Sequence, residues 1–130
     1  MLSRLESLPR WLRDIAPLIF WMALIFTLSH QPRLIDIKGE AEEKFFYKTA
    51  HFLAYGMLAW LWWRALASER QTPWSLLGIA FALTTLYGVS DEFHQTFVPG
   101  RHGKAVDVLF DASGALAMLV LIRQAKWLRF

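Results

Sequence analysis

Four apolar stretches, each closed by charge, divide the chain. The first runs from Ile15 to Ser29, between Asp14 and the polar group His30-Gln31-Pro32-Arg33. The second runs from Lys48 to about Leu66, with Arg64 near its end. The third, Gln71 to Ser90, carries no Asp, Glu, Lys or Arg and stops at Asp91-Glu92. The fourth, Ala105 to Ile122, is interrupted by Asp107 and Asp111 and closed by Arg123. About 20 helical residues cross the ~30 Å hydrocarbon core of a bilayer. Within it every backbone group must be paired internally. Runs this long and continuous exclude the alternating strands of a membrane barrel. The pattern therefore predicts an all-α polytopic membrane protein. It forms one domain over 1–130, a four-helix bundle with spans near 13–30, 48–67, 72–94 and 105–123.

Ahead of the first span, Leu2, Leu5, Leu8, Trp11 and Leu12 recur at helical spacing among Arg4, Arg10 and Arg13. This predicts a short amphipathic segment lying at the interface. A frayed basic leader accounts for the same residues equally well. No small-residue cleavage site follows the first apolar run, so that run is expected to be retained.

Composition agrees with the pattern. Of the 130 residues, 55% are hydrophobic and 19% charged, against roughly 45–50% and about 25% in soluble domains. Cysteine is absent, which excludes a disulfide scaffold, a thiol nucleophile and a thiolate metal site. The net charge of +3 bears on orientation, and no nucleic-acid partner is expected. Eight of the fourteen Lys and Arg fall at the termini and in the turn after the second span, and six in the other two loops. The positive-inside rule then places both termini in the cytoplasm, for a chain in the cytoplasmic (inner) membrane. The loops Gln31–Tyr47 and Thr96–Lys104 face outward. Trp11, Trp62, Trp63, Trp74 and Trp127 all fall at the predicted cytoplasmic ends. Small pairs four apart, Gly78 with Ala82 and Ser113 with Ala117, suit close helix contact.

The candidate chemistry lies where polar residues enter the spans. Lys48, His51 and Tyr55 share one face at the start of the second helix. Tyr87, Asp91, His94 and Gln95 share one face at the end of the third. Asp107 and Asp111 are one turn apart at the start of the fourth, and Ser29 and Gln31 end the first. In an up-down bundle these four ends are the same end. Ionisable residues within a span are expensive and turn inward to a partner. Asp111, deepest of the acids, is either helix glue to His51 or Arg101, or the centre of a site. Glu92 points off this face, as a solvated boundary charge. His51, Tyr55, Asp91, His94 and Asp111 are the catalytic candidates, and Lys48, Gln31, Gln95 and Arg101 the substrate-binding ones. Asp91, His94, Asp107 and Asp111 offer ligands for a divalent cation. Between the last two helices, Pro99-Gly100-Arg101-His102-Gly103-Lys104 reads as a tight basic hairpin. Its arginine fork suits phosphate or carboxylate, or simply pairs with Asp107.

Several of these segments together resemble the VanZ-like membrane proteins, named for a teicoplanin-resistance protein. The matching elements begin with Ser29-x-Gln31-Pro32 and Lys48-x-x-His51-Phe52-x-x-Tyr55-Gly56. Next come Tyr87-Gly88-x-Ser90-Asp91-Glu92-Phe93-His94-Gln95 and Phe97-Val98-Pro99-Gly100-Arg101, then Asp107-Val108-x-x-Asp111-x-x-Gly114. The resemblance implies a small multispanning cell-envelope protein, and for some members reduced susceptibility to glycopeptide antibiotics. It supplies no reaction.

Three functions from different classes fit the residues. The first is a membrane enzyme or tight binder for a phosphate-bearing lipid, or a lipid-linked envelope intermediate, at the outer leaflet. Its acids and histidines would serve as cation ligands or proton carriers, and Arg101 and Lys48 would hold phosphate. The second is a non-enzymatic protein binding lipid, antibiotic or a partner membrane protein. The third is a small proton-coupled transporter with Asp and His as a relay.

Overall fold

The computed structural model describes residue 4 and residues 6–30, 38–98 and 105–129. These form four helices: α1 (Ala16–His30), α2 (Glu40–Leu66), α3 (Trp74–Gln95) and α4 (Ala105–Gln124). A wide π-helical turn, Trp11–Ile15, runs directly into α1. Pro17, the second residue of α1, has no N–H to give to the helical ladder. Thus Trp11 and Leu12, expected in a separate interfacial segment, continue the first span. Leu2 and Leu5 lie outside the described residues.

α2 starts at Glu40, not at Lys48, so half of the expected outer loop is helical. The residues explain this. Glu40, Glu42 and Glu43 fill the first turn, where carboxylates favour the positive end of the helix dipole. Glu40 also pairs with Lys44 at 3.1 Å, a helical i,i+4 contact. α3 begins after Pro73, whose extended backbone sets the helix start.

Among the described residues, three helical segments are long and apolar enough to cross a bilayer: Trp11–Ser29, Trp74–Gln95 and Ala105–Gln124. α2 has 27 residues but is the least apolar of the four. Its first turns are acidic, and its later ones carry His51, Tyr55, Arg64 and three tryptophans. It is nevertheless the centre of the packing, against α4 most extensively and then α3 and α1. Leu58, Ala59 and Trp63 of α2 are fully enclosed. One core cluster joins α2 to α3 and α4 through Ala59, Trp63, Leu77, Ala80, Ala115, Leu119 and Ile122. The other joins α2 to α1 through Leu18, Ile25, Tyr55, Leu58 and Leu61. The outward faces are apolar as well: Ile19, Phe20, Leu53, Leu86 and Leu109 are all exposed. Helices hydrophobic on every side belong in a lipid solvent.

The closest helix contact uses other small residues than the two expected pairs. A Cβ on Gly114 would collide with the backbone carbonyl of Phe52, and one on Gly56 would lie 3.3 Å from the Gly114 carbonyl oxygen. α2 and α4 therefore touch backbone to backbone. Gly78 faces open space, and Ala82 and Ser113 are exposed. Spacing identifies small pairs but not which side of a helix meets a neighbour.

The start of α1, the end of α2, the start of α3 and the end of α4 gather at one end of the bundle. Arg10 donates to the Ala65 carbonyl, and Trp63 Nε1 to that of Gln71 at 2.9 Å. Arg123 donates to the Thr72 carbonyl at 2.6 Å, and Trp60 Nε1 to that of Leu128 at 2.8 Å. The four helices thus run up and down, which brings the polar helix ends together at the opposite side.

Candidate functional site

At that opposite side two hydrogen-bonded pairs lie next to each other. His51 Nδ1 on α2 is 2.9 Å from Asp111 Oδ1 on α4. One turn along α2, the Tyr55 hydroxyl donates to Asp91 Oδ2 on α3 at 3.2 Å. The His51 and Tyr55 rings are nearly parallel, with centroids 6.1 Å apart. Residues four apart on a helix stack in this way, so α2 presents an imidazole and a phenol as one layer to two acids. Asp111 is fully buried, and Tyr55 and Asp91 nearly so. Gly88 makes the close packing possible. A Cβ there would lie 3.0 Å from Asp111 Oδ2 and 3.3 Å from the Tyr55 ring.

The cluster keeps unused polar capacity. Asp111 Oδ2 and Gln95 Nε2 are enclosed and bond to nothing among the described residues. Leaving such a group unmatched costs about 1–3 kcal/mol, and more when it is charged. A site that tolerates this can repay it with a ligand.

Glu92 belongs to the cluster, contrary to the sequence expectation. It is 6% exposed, and His51, Asp91 and Glu92 each bring one ligand atom within 4.8 Å of the others. One nitrogen and two carboxylates suit a divalent cation of intermediate hardness. α3 packs against α1, α2 and α4, so it has no single inward face, and the residue next to Asp91 is also covered.

Beside the cluster, α1 and α3 frame a cleft of about 250 Å³ lined by Phe26, Tyr87, Ser90, Asp91, Phe93, His94 and Phe97. His94 stands here, its ring 4.5 Å from that of Phe26. The structure thus joins His51, Tyr55, Asp91 and Asp111 directly, while His94 lines the cleft that Asp91 also borders. Phe26, Phe93 and Phe97 are exposed, so the cleft opens on the apolar outer surface. The Tyr87 hydroxyl donates to the Met22 carbonyl, tying the two helices together beneath it.

The remaining expected residues are more peripheral. Lys48, one turn before His51, places Nζ 5.0 Å from the centre of the Phe110 ring. Asp107 is partly exposed, one turn before Asp111. Gln31, Arg101 and the hairpin 99–104 lie outside the described residues. Sequence reasoning missed Gly88 as a site residue, although a glycine one turn before Asp91 in an apolar helix is a signal of close approach. It also missed Asp14, buried at the far end of the bundle.

Searches of curated proteins and of solved structures found no match. A family model described as VanZ/LLP1 matches residues 15–128. That range takes in all four helices and every residue of the cluster and the cleft. With three apolar helices of spanning length and a family match over nearly its whole length, the chain is a multi-pass membrane protein of the VanZ/LLP1 family.

Proposed function

We propose that the chain binds and processes a phosphate-bearing lipid, or a lipid-linked envelope intermediate, at the outer leaflet of the cytoplasmic membrane. All four helices span in this reading, with both termini inside. The observation that carries it is the position of Asp91. The same carboxylate lines an apolar cleft open to the surrounding lipid and accepts the Tyr55 hydrogen bond inside the buried cluster. A lipid can lay its chains against Phe26, Phe93 and Phe97 and bring its headgroup to Asp91 and His94 without leaving the membrane.

The chemistry follows from the donor set. His51 is oriented by Asp111, an imidazole–carboxylate pair suited to taking a proton from an attacking hydroxyl or water. Tyr55 fixes Asp91. Where His51 Nε2 serves as a ligand instead of as the base, a divalent cation on His51, Asp91 and Glu92 would supply charge stabilisation at phosphoryl oxygens. Lys48 and Arg101 are the cations for the phosphate. Altered tolerance to glycopeptide antibiotics would be a downstream effect of changed envelope lipid.

The test compares extracted lipids from cells lacking the chain and cells supplied with wild type, Asp91→Asn or Asp111→Asn. Folded yield in detergent is measured on the same samples. The expected result is one phosphate-bearing lipid class that builds up without the chain and with either variant, at normal folded yield. An unchanged lipid profile in the deletion, or a normal profile with both variants, would overturn the proposal. A profile that tracks only bulky changes in the cleft, such as Ser90→Trp, would favour binding without chemistry.

A further inference from the structure

The opposite end of the bundle holds a second buried charge, of a different kind. Asp14 is 1% exposed. Arg13 reaches its Oδ2 at 3.0 Å, and Arg70 and Arg64 reach its Oδ1 at 2.7 and 3.3 Å. Arg10 joins them on the Ala65 carbonyl at the end of α2. Among the described residues, Asp14 is the only acid paired with any of these arginines. One carboxylate cannot neutralise this many guanidinium groups, and partly desolvated charge needs a counter-charge.

Two further features point to a ligand. Arg64 Nε is enclosed and donates to nothing among the described residues. The backbone that carries Arg70 is strained: Glu69 and Arg70 both have φ of 56°, a region that costs a non-glycine residue about 1–2 kcal/mol. Strain of this kind persists where the surroundings impose it, and it clusters at binding sites. Here it turns Arg70 inward onto Asp14 and the Arg64 carbonyl. The exposed Trp11, Leu12, Trp74 and Trp127 lie at this same end, at the depth where tryptophan marks the headgroup level.

We propose that Arg10, Arg13, Arg64 and Arg70 form a site for the phosphate of an acidic phospholipid in the leaflet at the terminal end of the bundle. Asp14 keeps the arginine forks spread, and the lipid phosphate supplies the missing negative charge. Basic pockets between transmembrane helices bind anionic headgroups by this chemistry. The site is independent of the lipid chemistry proposed for the other end.

The test uses the purified full chain in a neutral detergent. Its thermal midpoint is followed against short-chain phosphatidylglycerol, short-chain phosphatidylcholine and inorganic phosphate. Saturable stabilisation by phosphatidylglycerol alone is expected. Arg13→Gln and Arg10→Gln should each weaken it about fivefold, the factor expected for one basic residue at an anionic surface. Asp111→Asn, at the far end, should leave it unchanged, so this test stands or falls apart from the one above. If Arg13→Gln does not fold, Arg10→Gln on the rim gives the reading. Equal stabilisation by phosphatidylcholine, or an unaltered response in the folded arginine variants, would overturn the site. Saturation by inorganic phosphate at the same concentration would overturn the lipid as its source.

Discussion

Two glycines of α3 illustrate how little a residue's type says about its role. Gly88 and Gly78 lie on the same helix, yet a methyl at Gly88 would press on Asp111 and Tyr55, while one at Gly78 would meet nothing within 4 Å. Gly88→Ala should therefore lower stability by about 1–3 kcal/mol, as overpacking does. It should also displace the His51–Asp111 pair. Gly78→Ala should raise stability by up to about 1 kcal/mol, the helix-propensity difference. Unfolding of both variants in detergent, measured beside wild type, checks this. Equal effects would mean that Gly88 is not a point of close approach. Tyr55 offers a second test at this scale. Tyr55→Phe keeps the ring but removes the donor to Asp91, and a hydrogen bond to a charged group contributes about 1.5–3 kcal/mol. A loss in that range, or its absence, is read from the same unfolding curves.

At the scale of elements, α2 carries much of the argument. Its sequence is the least apolar, yet it packs against all three other helices. His51 and Tyr55 are matched by acids on α4 and α3, and Arg64 by Asp14, so insertion of α2 should depend on its neighbours more than on its own hydropathy. As an isolated segment, residues 40–66 should insert into a bilayer poorly in a glycosylation reporter, where residues 74–95 and 105–124 should insert well. In the full chain, residues 40–66 should be fully inserted. Efficient insertion of the isolated α2 would show that its neighbours are not needed.

This also explains what could be read in the sequence. The helices and the shared end of His51, Tyr55, Asp91 and Asp111 follow from local spacing. The placements of Glu92 and Asp14 do not. Spacing puts Glu92 off the face of Asp91, but α3 is contacted from several sides. Asp14 looks like a boundary charge until Arg64 and Arg70, 50 and 56 positions away, fold onto it. The early start of α2 is legible in the Glu40–Lys44 spacing, but an acid-rich segment between apolar runs has the composition of a loop as much as that of a helix start.

For the whole molecule, the two ends differ in the sign of the charge that dominates them. Carboxylates dominate one end, at Asp91, Glu92 and Asp111, and arginines the other, at Arg10, Arg13, Arg64 and Arg70. Such a molecule has a preferred orientation, because Lys and Arg are retained on the cytoplasmic side and the anionic leaflet surface there attracts them. The arginine end carries both described ends of the chain, so the termini should be cytoplasmic and the start of α2 external. The chain has no cysteine, so single cysteines report cleanly. Ser7→Cys and Glu42→Cys probe the two ends at exposed positions without altering the Lys and Arg count on which the orientation depends. In intact cells an impermeant maleimide should label Glu42→Cys only, and Ser7→Cys should react after permeabilisation. The reverse pattern would place the carboxylate cluster at the cytoplasmic leaflet and move the proposed lipid chemistry there. Labelling of both positions in intact cells would mean that α1, the one helix between them, does not cross the membrane.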